Sequence, residues 1–578
     1  MLFDSTMLSR ICTELQETLL GRQVRRVVAT GKLEVAMETS TQGSAPWLVL
    51  CGHSEFGRVH LAEDVEPRPD IHSPLANVMR RYLRGAIIQR IEQINFDRLL
   101  RIEFANAQRL GPESGCTLIA EVMGRHGNVL LLDDEGIILE CLKHVPAGVN
   151  RYRQSLPGLK YVEPPHFGKR DPFTVNAAEV RQIAGQADPN IDFAQWFRNN
   201  FHGGSDIFVA EIAARIGITP DRQLETLGKG WPDRLFEAVA ELHKLIHTPG
   251  EAYICRRKGT DTLFAYPFAP KSQPDLVAAP VRDLSTALEQ TCRQLQQRRR
   301  SRQLREQLLH AASKQLDHVL TRARKRKVAL KSVSDADKYR KWGELILAHL
   351  NEIPPRAEEI TVTDYYSEDQ SDITIKLDPD RSPQQVAQHY FKRYKRAQRL
   401  SDHLPRLLKL DRIQQDYLEG LLHQIENAEQ LADLEELRQE MMDQGILQPP
   451  KREQPRPGKR DLPSYQSQDG YLVVYGKTGQ QNDEVVRQAS PDDIWLHVQR
   501  GPGGHVVIKT GGRPDDVPES TIIEAAQHAA ALSRQAQSPK VEVDYTQVKH
   551  LNKPTGGPPG FVYYRNFKTL LVRPQKAD

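Results

Sequence analysis

Cysteine pairs, long apolar runs and a large net charge are all missing from this 578-residue chain. Its six cysteines, Cys12, Cys51, Cys116, Cys141, Cys255 and Cys292, stand far apart and form no C-x-x-C pair. That argues against a disulfide framework or a cysteine-built zinc site, and it fits a reducing, cytoplasmic compartment. No apolar run approaches the roughly 18–20 residues needed to cross a bilayer. Met1 to Leu15 carries acidic and polar residues early and no apolar h-region, so no signal peptide is expected. Net charge is only +4 at pH 7, so partners have to be read from how charge is distributed. With 39% hydrophobic and 27% charged residues, the chain suits a well-charged globular protein.

Patterning predicts a multidomain α+β chain in four parts. Residues 1–170 read as a mixed α/β domain. Leu8 to Leu19 has helical spacing and meets a stop at Gly21. Strands are expected at Trp47–Leu50, Leu99–Phe104 and Asn128–Leu132, the last turning through Asp133-Asp-Glu-Gly into Ile137–Glu140 as a hairpin. Residues 171–285 read as mostly helical, with a glycine turn at His202-Gly-Gly-Ser-Asp and apolar residues recurring at Ile207, Val209, Ile212 and Ile216. Residues 286–447 predict a long antiparallel coiled-coil arm. Leu304, Leu308, Ala312, Leu316 and Val319 form the narrow apolar stripe that a two-helix seam needs. The returning helix is expected over 382–444, broken or kinked at Pro405. Between the two helices, Glu359–Tyr366 and Ile373–Leu377 alternate like a hairpin tip. A Pro-rich basic linker, 448–463, leads to a β-rich domain over 464–578. Its strands are expected at Tyr471–Tyr475, Ile494–Val498, His505–Lys509, Val541–Tyr545 and Phe561–Tyr564, with one helix over Ile522–Leu532 after Pro518.

Between residues 291 and 330 there are twelve Lys/Arg against two Asp/Glu. Arg298, Arg299, Arg300, Arg324, Lys325, Arg326 and Lys327 could neutralise RNA phosphates, or simply solvate a coiled-coil surface. In the block Asp493 to Lys509, Trp495, His497 and His505 can stack on bases. The plain alternative is a tryptophan in a sheet core with structural glycines. It is the better reading for Trp495, and the two are balanced for His505. No third ligand converges with the two histidines, so no metal is expected. Gly476-Lys-Thr resembles the end of a P-loop, but the glycine that motif needs falls on Tyr471, and the motif fails. No Ser/His/Asp, Cys/His or H-E-x-x-H constellation has supporting context. Nothing predicts an enzyme or a cofactor. Asp97-Arg98 at a strand entry and Glu121, Arg125 and His126 around a glycine turn place charges in loops, where binding residues concentrate. Taken alone, they read more simply as local ion pairs beside a turn.

These segments together resemble one family. Asp493 to Lys509, Val543 to His550 and Lys553 to Tyr564 are similar to the NFACT RNA-binding domain. Phe96 to Ile102 with Glu121 to Val129 resembles the NFACT N-terminal domain, His202 to Ile212 its helix-hairpin-helix neighbour, and Leu377 to Arg396 the start of the second arm helix. Gly504 stands where the family usually has serine, and Val386 where it often has asparagine. The resemblance implies a ribosome quality control factor. Such a factor binds the large ribosomal subunit that still carries nascent peptidyl-tRNA, recruits alanine tRNA, and lets the ribosome's own peptidyl-transferase centre add an alanine tail. On this reading Asp97 and Arg98 contact tRNA, with Glu121, Arg125 and His126 nearby, and the arm's basic face meets ribosomal RNA. A small RqcP-like protein is a further implied partner. Bacterial members are also described as fibronectin-binding protein A homologues, so a surface adhesin is a second reading and a general RNA chaperone a third. The N-terminal half also resembles formamidopyrimidine-DNA glycosylases, but the N-terminal proline and the zinc finger of that chemistry are lacking.

Overall fold

The computed structural model describes residues 3–40, 46–105, 115–165, 167–260, 263–333, 336–367, 369–449, 461–499 and 501–577. Most of the Pro-rich linker expected over 448–463 lies outside them. Two compact units emerge, Met1–Gln297 and Arg298–Asp578.

The first unit begins with α1 (Ser5–Leu19), whose N-cap Asp4 accepts the Met7 N–H. Gly21, at φ +74°, turns the chain out of the helix as expected. β1 (Val24–Gly31), β2 (Glu34–Thr39), β3 (Trp47–Cys51) and β4 (Arg58–Ala62) form an antiparallel meander. After α2 (Pro74–Leu83), a second meander runs through β5 (Ile87–Gln93), β6 (Leu99–Ala105), β7 (Cys116–Glu121), β8 (Asn128–Leu132) and β9 (Ile138–Cys141). The expected hairpin is β8–β9.

Four helices follow, α3 (Ala177–Gly185), α4 (Phe193–Asn200), α5 (Asp206–Arg215) and α6 (Trp231–His247). His202 to Ser205 joins α4 to α5 as the predicted glycine turn. The expectation of a mostly helical segment to 285 needs correction. β10 (Ala252–Arg257), β11 (Leu263–Tyr266) and β12 (Leu276–Val281) build a three-stranded sheet in the order β11-β10-β12. Pro280 sits in β12, at the sheet edge, where a missing N–H is tolerated.

One hydrophobic core joins α1, the two meanders, α3 to α6 and the three-stranded sheet. Two side chains of α1 tie distant segments to it. Buried Arg10 donates to Ile246 O at 3.0 Å and Gly250 O at 2.9 Å, at the C-terminal end of α6. Glu14 takes the Leu284 and Ser285 N–H groups at 2.9 and 3.1 Å, at the N-terminus of the 50-residue helix α7 (Leu284–Val333).

In the second unit, α7 is followed by α8 (Asp337–Ala348), the hairpin β13 (Glu359–Thr363) with β14 (Asp372–Lys376), and the returning helix α9 (Pro383–Asn427). The predicted stripe is the seam. Leu304, Leu308, Ala312 and Val319 are buried with Leu418, Leu421 and Ile425 of α9 and with α10 (Leu431–Asp443). Pro405 does not break α9, which runs through it. Pro405 itself is exposed while Ala397 and Leu404 beside it are buried, so packing on its flanks outweighs the ~3 kcal/mol that proline costs a helix interior. The interruption falls instead at Ala428–Gln430, between α9 and α10.

The C-terminal elements are β15 (Ser464–Gln466), β16 (Leu472–Tyr475), α11 (Gly479–Arg487), β17 (Ile494–Val498), β18 (Val506–Ile508), α12 (Glu519–Ala531), β19 (Val541–Gln547), β20 (Leu551–Asn552), β21 (Tyr563–Tyr564) and β22 (Lys568–Val572). Six of the strands form one sheet in the order β15-β16-β18-β17-β19-β22, and α12 packs its alanine face on it. All six cysteines are buried and unbridged. No helix among the described residues is long and apolar enough to cross a membrane.

Candidate nucleic-acid interface

A polar cleft of about 360 Å³ in the first unit is lined by Asp97 and Arg98 together with Asp4, Gly124, Gly203 and Ser205. The pair is placed there by the turn between β5 and β6. Asn95 and Phe96 adopt φ +53° and +49°, a conformation that costs a bulky aromatic about 1–3 kcal/mol. Surrounding contacts hold it. Asp97 N–H donates to Ile94 O at 2.9 Å, and Gln93 Nε2 donates to Asp97 O at 2.8 Å and to Ser5 O at 2.9 Å. The buried Phe96 ring packs on Phe173 and Phe208, with centroids 4.4 and 5.3 Å apart. It also covers Gly203, at φ +72°, where a β-carbon would stand 2.2 Å from Phe96 Cε1. The glycine of the α4–α5 turn is therefore the socket for the residue that precedes Asp97 and Arg98.

Asp4 brings a second carboxylate. It accepts the Ser205 Oγ–H at 2.6 Å as well as the Met7 N–H at 3.0 Å. Burial pushes its carboxyl above the usual carboxylate range, while those bonds and the charge of Arg98 pull it back. Ser205 in turn accepts the Phe208 N–H at 3.2 Å and caps α5. His202 Nδ1 lies 4.0 Å from Asp97 Oδ2. The cleft thus offers a guanidinium for phosphate or base acceptors, and carboxylate oxygens for the amino groups of bases. Asp4, Gly203 and Ser205 were not among the sequence candidates. Asp4 and Ser205 carry only helix-cap signals, and caps are ordinary.

The other three candidates at this end separate. Glu121 is 2% exposed, its carboxylate held by the Arg153 guanidinium and by the Tyr161 hydroxyl at 2.8 Å. Buried and partnered, it fixes the end of β7 and presents no surface to RNA. Arg125 and His126 are exposed on the turn Gly124–His126, with Arg125 Nε donating to His126 Nε2 at 3.0 Å.

The arm residues divide in the same way. Asp411 of α9 is buried, and Arg322 Nε and Arg326 Nη1 donate to it at 2.8 and 2.6 Å. Arg326 is therefore a clasp between the arm helices. Arg300 pairs with Glu435 at 2.8 Å. Arg298 is exposed and Arg299 half-buried. Arg324, Lys325 and Lys327 are exposed and form no ion pair among the described residues, which leaves them available to phosphate. On α9, Lys392, Arg393, Lys395, Arg396 and Arg399 are also exposed. Sequence reading missed these as a second basic face, although five cations within eight residues were its signal.

In the C-terminal sheet, Trp495 pairs with Val507 and Thr546 across strands and is buried, as its plain reading had it. Its indole is nearly parallel to His497, centroids 5.7 Å apart, and edge-on to His505 at 5.2 Å. Burial pushes both imidazoles below the ordinary histidine range, His505 furthest. His505 is buried and His497 half-buried. Thr478, from the failed P-loop, caps α11 by accepting the Gln481 N–H at 3.1 Å.

Residues 4–460 match the NFACT N-terminal and middle domains, and residues 463–565 match the NFACT protein RNA binding domain. The chain belongs to the NFACT family. It is 30% identical over 582 residues to the Rqc2 homolog RqcH of Streptococcus suis, covering 99% of this chain and 98% of that one. To the Bacillus subtilis protein of the same name it is 28% identical over 592 residues, with the same coverage. A solved C-terminal part of a fibronectin/fibrinogen-binding protein from Streptococcus suis is 29% identical over 48% of this chain and 96% of its own, with a TM-score of 0.38. The cleft and the basic arm fall in the NFACT N-terminal and middle match, and the Trp495 cluster falls in the RNA-binding match.

Proposed function

We propose that this NFACT protein is a cytoplasmic ribosome quality control factor. It binds the obstructed large ribosomal subunit carrying nascent peptidyl-tRNA, recruits alanine tRNA, and promotes C-terminal alanine tailing. The reading is carried by the cleft that holds Asp97 and Arg98, a preformed site with charge suited to RNA. The full-length likeness to proteins named Rqc2 homolog RqcH supports it. Arg324, Lys325 and Lys327 supply sequence-independent contacts to ribosomal RNA. The protein itself performs no bond chemistry on this reading: the peptidyl-transferase centre does, and a small RqcP-like protein assists.

The test is the double variant Asp97→Ala, Arg98→Ala, produced in cells lacking the native protein. Alanine tails should vanish while co-sedimentation with large subunits survives. Tailing at the normal level would refute the role of the cleft. Binding of ribosomal RNA with no selected tRNA, in either protein, would leave a general RNA chaperone.

A further inference from the structure

The second unit holds a cavity of about 530 Å³ between α9 and the loops around β17 and β21, within the roughly 300–1,000 Å³ range of small-molecule pockets. Rings make up much of its wall: Tyr417 of α9, then Trp495, His497, His505, Phe561 and Tyr564. Tyr564 packs on Trp495 with centroids 4.9 Å apart, so three rings gather on one indole. Gly503 borders the cavity, and a β-carbon there would stand 3.6 Å from His497 Nε2 and 2.9 Å from Val498 Cγ2. Its missing side chain keeps the imidazole uncovered.

Trp495 and His505 are buried at the back of this wall, with Trp495 Nε1 and His505 Nδ1 closed off from solvent. Burial also keeps both imidazoles neutral, which makes the wall a poor seat for phosphate. A flat, uncharged heterocycle suits such a wall, because its faces stack on the rings.

We propose that this cavity receives one unpaired nucleobase of the bound RNA, stacked on the aromatic wall. The proposal rests on the RNA-binding role of the C-terminal domain and adds the part of the RNA it takes. Paired RNA is refused, because a base in a helix cannot leave its stack without losing its partner.

The experiment uses the full chain and an RNA hairpin carrying 2-aminopurine at a single bulged position, against the same hairpin with that base paired. Emission from the bulged base should change several-fold on binding, and emission from the paired base should not. His497→Leu and Phe561→Ala should each weaken binding of the bulged RNA about ten-fold and abolish the emission change. Leu571→Ala, exposed on β22, should do neither. For variants that do not fold, 4-thiouridine at the bulge should crosslink in the unaltered protein to the peptide containing Phe561 and Tyr564. RNA that binds tightly with unchanged emission and crosslinks elsewhere overturns the proposal and leaves RNA binding standing. RNA that does not bind at all removes the reading beneath it as well.

Discussion

Replacing Gly203 by alanine tests how the Asp97–Arg98 pair is held. Alanine at φ +72° costs about 1 kcal/mol in backbone strain. Its β-carbon would stand 2.2 Å from Phe96 Cε1 and 2.4 Å from Cδ1. That ring is boxed in by Phe173 and Phe208, so making room for a methyl adds roughly 1–3 kcal/mol. A total near 3 kcal/mol lowers the melting transition of a unit of this size by about 6 °C. Scanning calorimetry reads that shift, and under the proposed function tRNA affinity should fall with it because the displaced ring carries the Asp97–Arg98 turn. A cycle isolates the cause. Phe96→Ala is costly by itself, but in that background Gly203→Ala loses its obstacle and should cost only the backbone strain of ~1 kcal/mol. A Gly203→Ala protein that melts within about 1 °C of the parent and keeps its tRNA affinity refutes the socket argument, as does strict additivity in the cycle.

Three further outcomes follow from buried and exposed charge. Glu440 of α10 is buried where α11 begins, accepting the Tyr417 O–H at 2.9 Å and the Gln480 N–H at 3.0 Å, and burial pushes its carboxyl up to about 7. Between the ordinary value of 4.5 and that value the folded chain holds a proton the unfolded chain has lost, so stability falls as pH rises through this window, by ~3 kcal/mol in all. Glu440→Gln should flatten that slope in denaturant titrations run from pH 5 to 7; a slope unchanged by the substitution rejects the assignment. Asp411→Ala strips the clasp from Arg322 and Arg326 and should cost the arm about 2 kcal/mol, water recovering part of the loss at half-exposed Arg322; amide exchange in α7 and α9 should quicken near the site. Changing Arg324, Lys325 and Lys327 together to glutamine should leave melting unchanged and reduce the salt slope of ribosomal RNA affinity by roughly 2–3; an unchanged slope removes these residues from the interface.

The arm was legible because its signal is local and repetitive. Leu304 to Val319 repeats at seam spacing, and that stripe is the one buried against α9 and α10. The hairpins at Asn128–Cys141 and Glu359–Lys376 were legible for the same reason, as alternation on either side of a polar turn. The β10 to β12 sheet was not. Its strands are short, β12 carries alanines and a proline, and only pairing with β10 makes an edge of it. Pro405 misled because the cost of proline is local, whereas α9 is held along its whole length, with Ala397 packed on Val333 of α7 on one side of the proline and Leu418, Leu421 and Ile425 buried in the seam on the other. The cleft was half legible. Asp97 and Arg98 stood out as charges at a strand entry, but Asp4, Gly203 and Ser205 lie about a hundred residues from them on either side, and no short-range pattern links a helix cap, a strained turn and a glycine socket.

Charge clusters show where sequence and structure part company most sharply. Glu121 lies four residues from Arg125, and Arg326 stands between Lys325 and Lys327, so the chain offers no reason to treat neighbours differently. Burial does. Glu121 and Arg326 each meet a partner inside the fold, Arg153 for one and Asp411 for the other; removing Glu121 would leave Arg153 without its counterion, and removing Arg326 would leave buried Asp411 with Arg322 alone. Their neighbours face water, where an ion pair is worth little and a phosphate can displace solvent freely. A variant at Glu121 or Arg326 should therefore report first as lost stability, and one at Arg125 or Lys325 as lost RNA affinity at constant stability. Within one cluster of charged residues, the two kinds are told apart by which measurement moves.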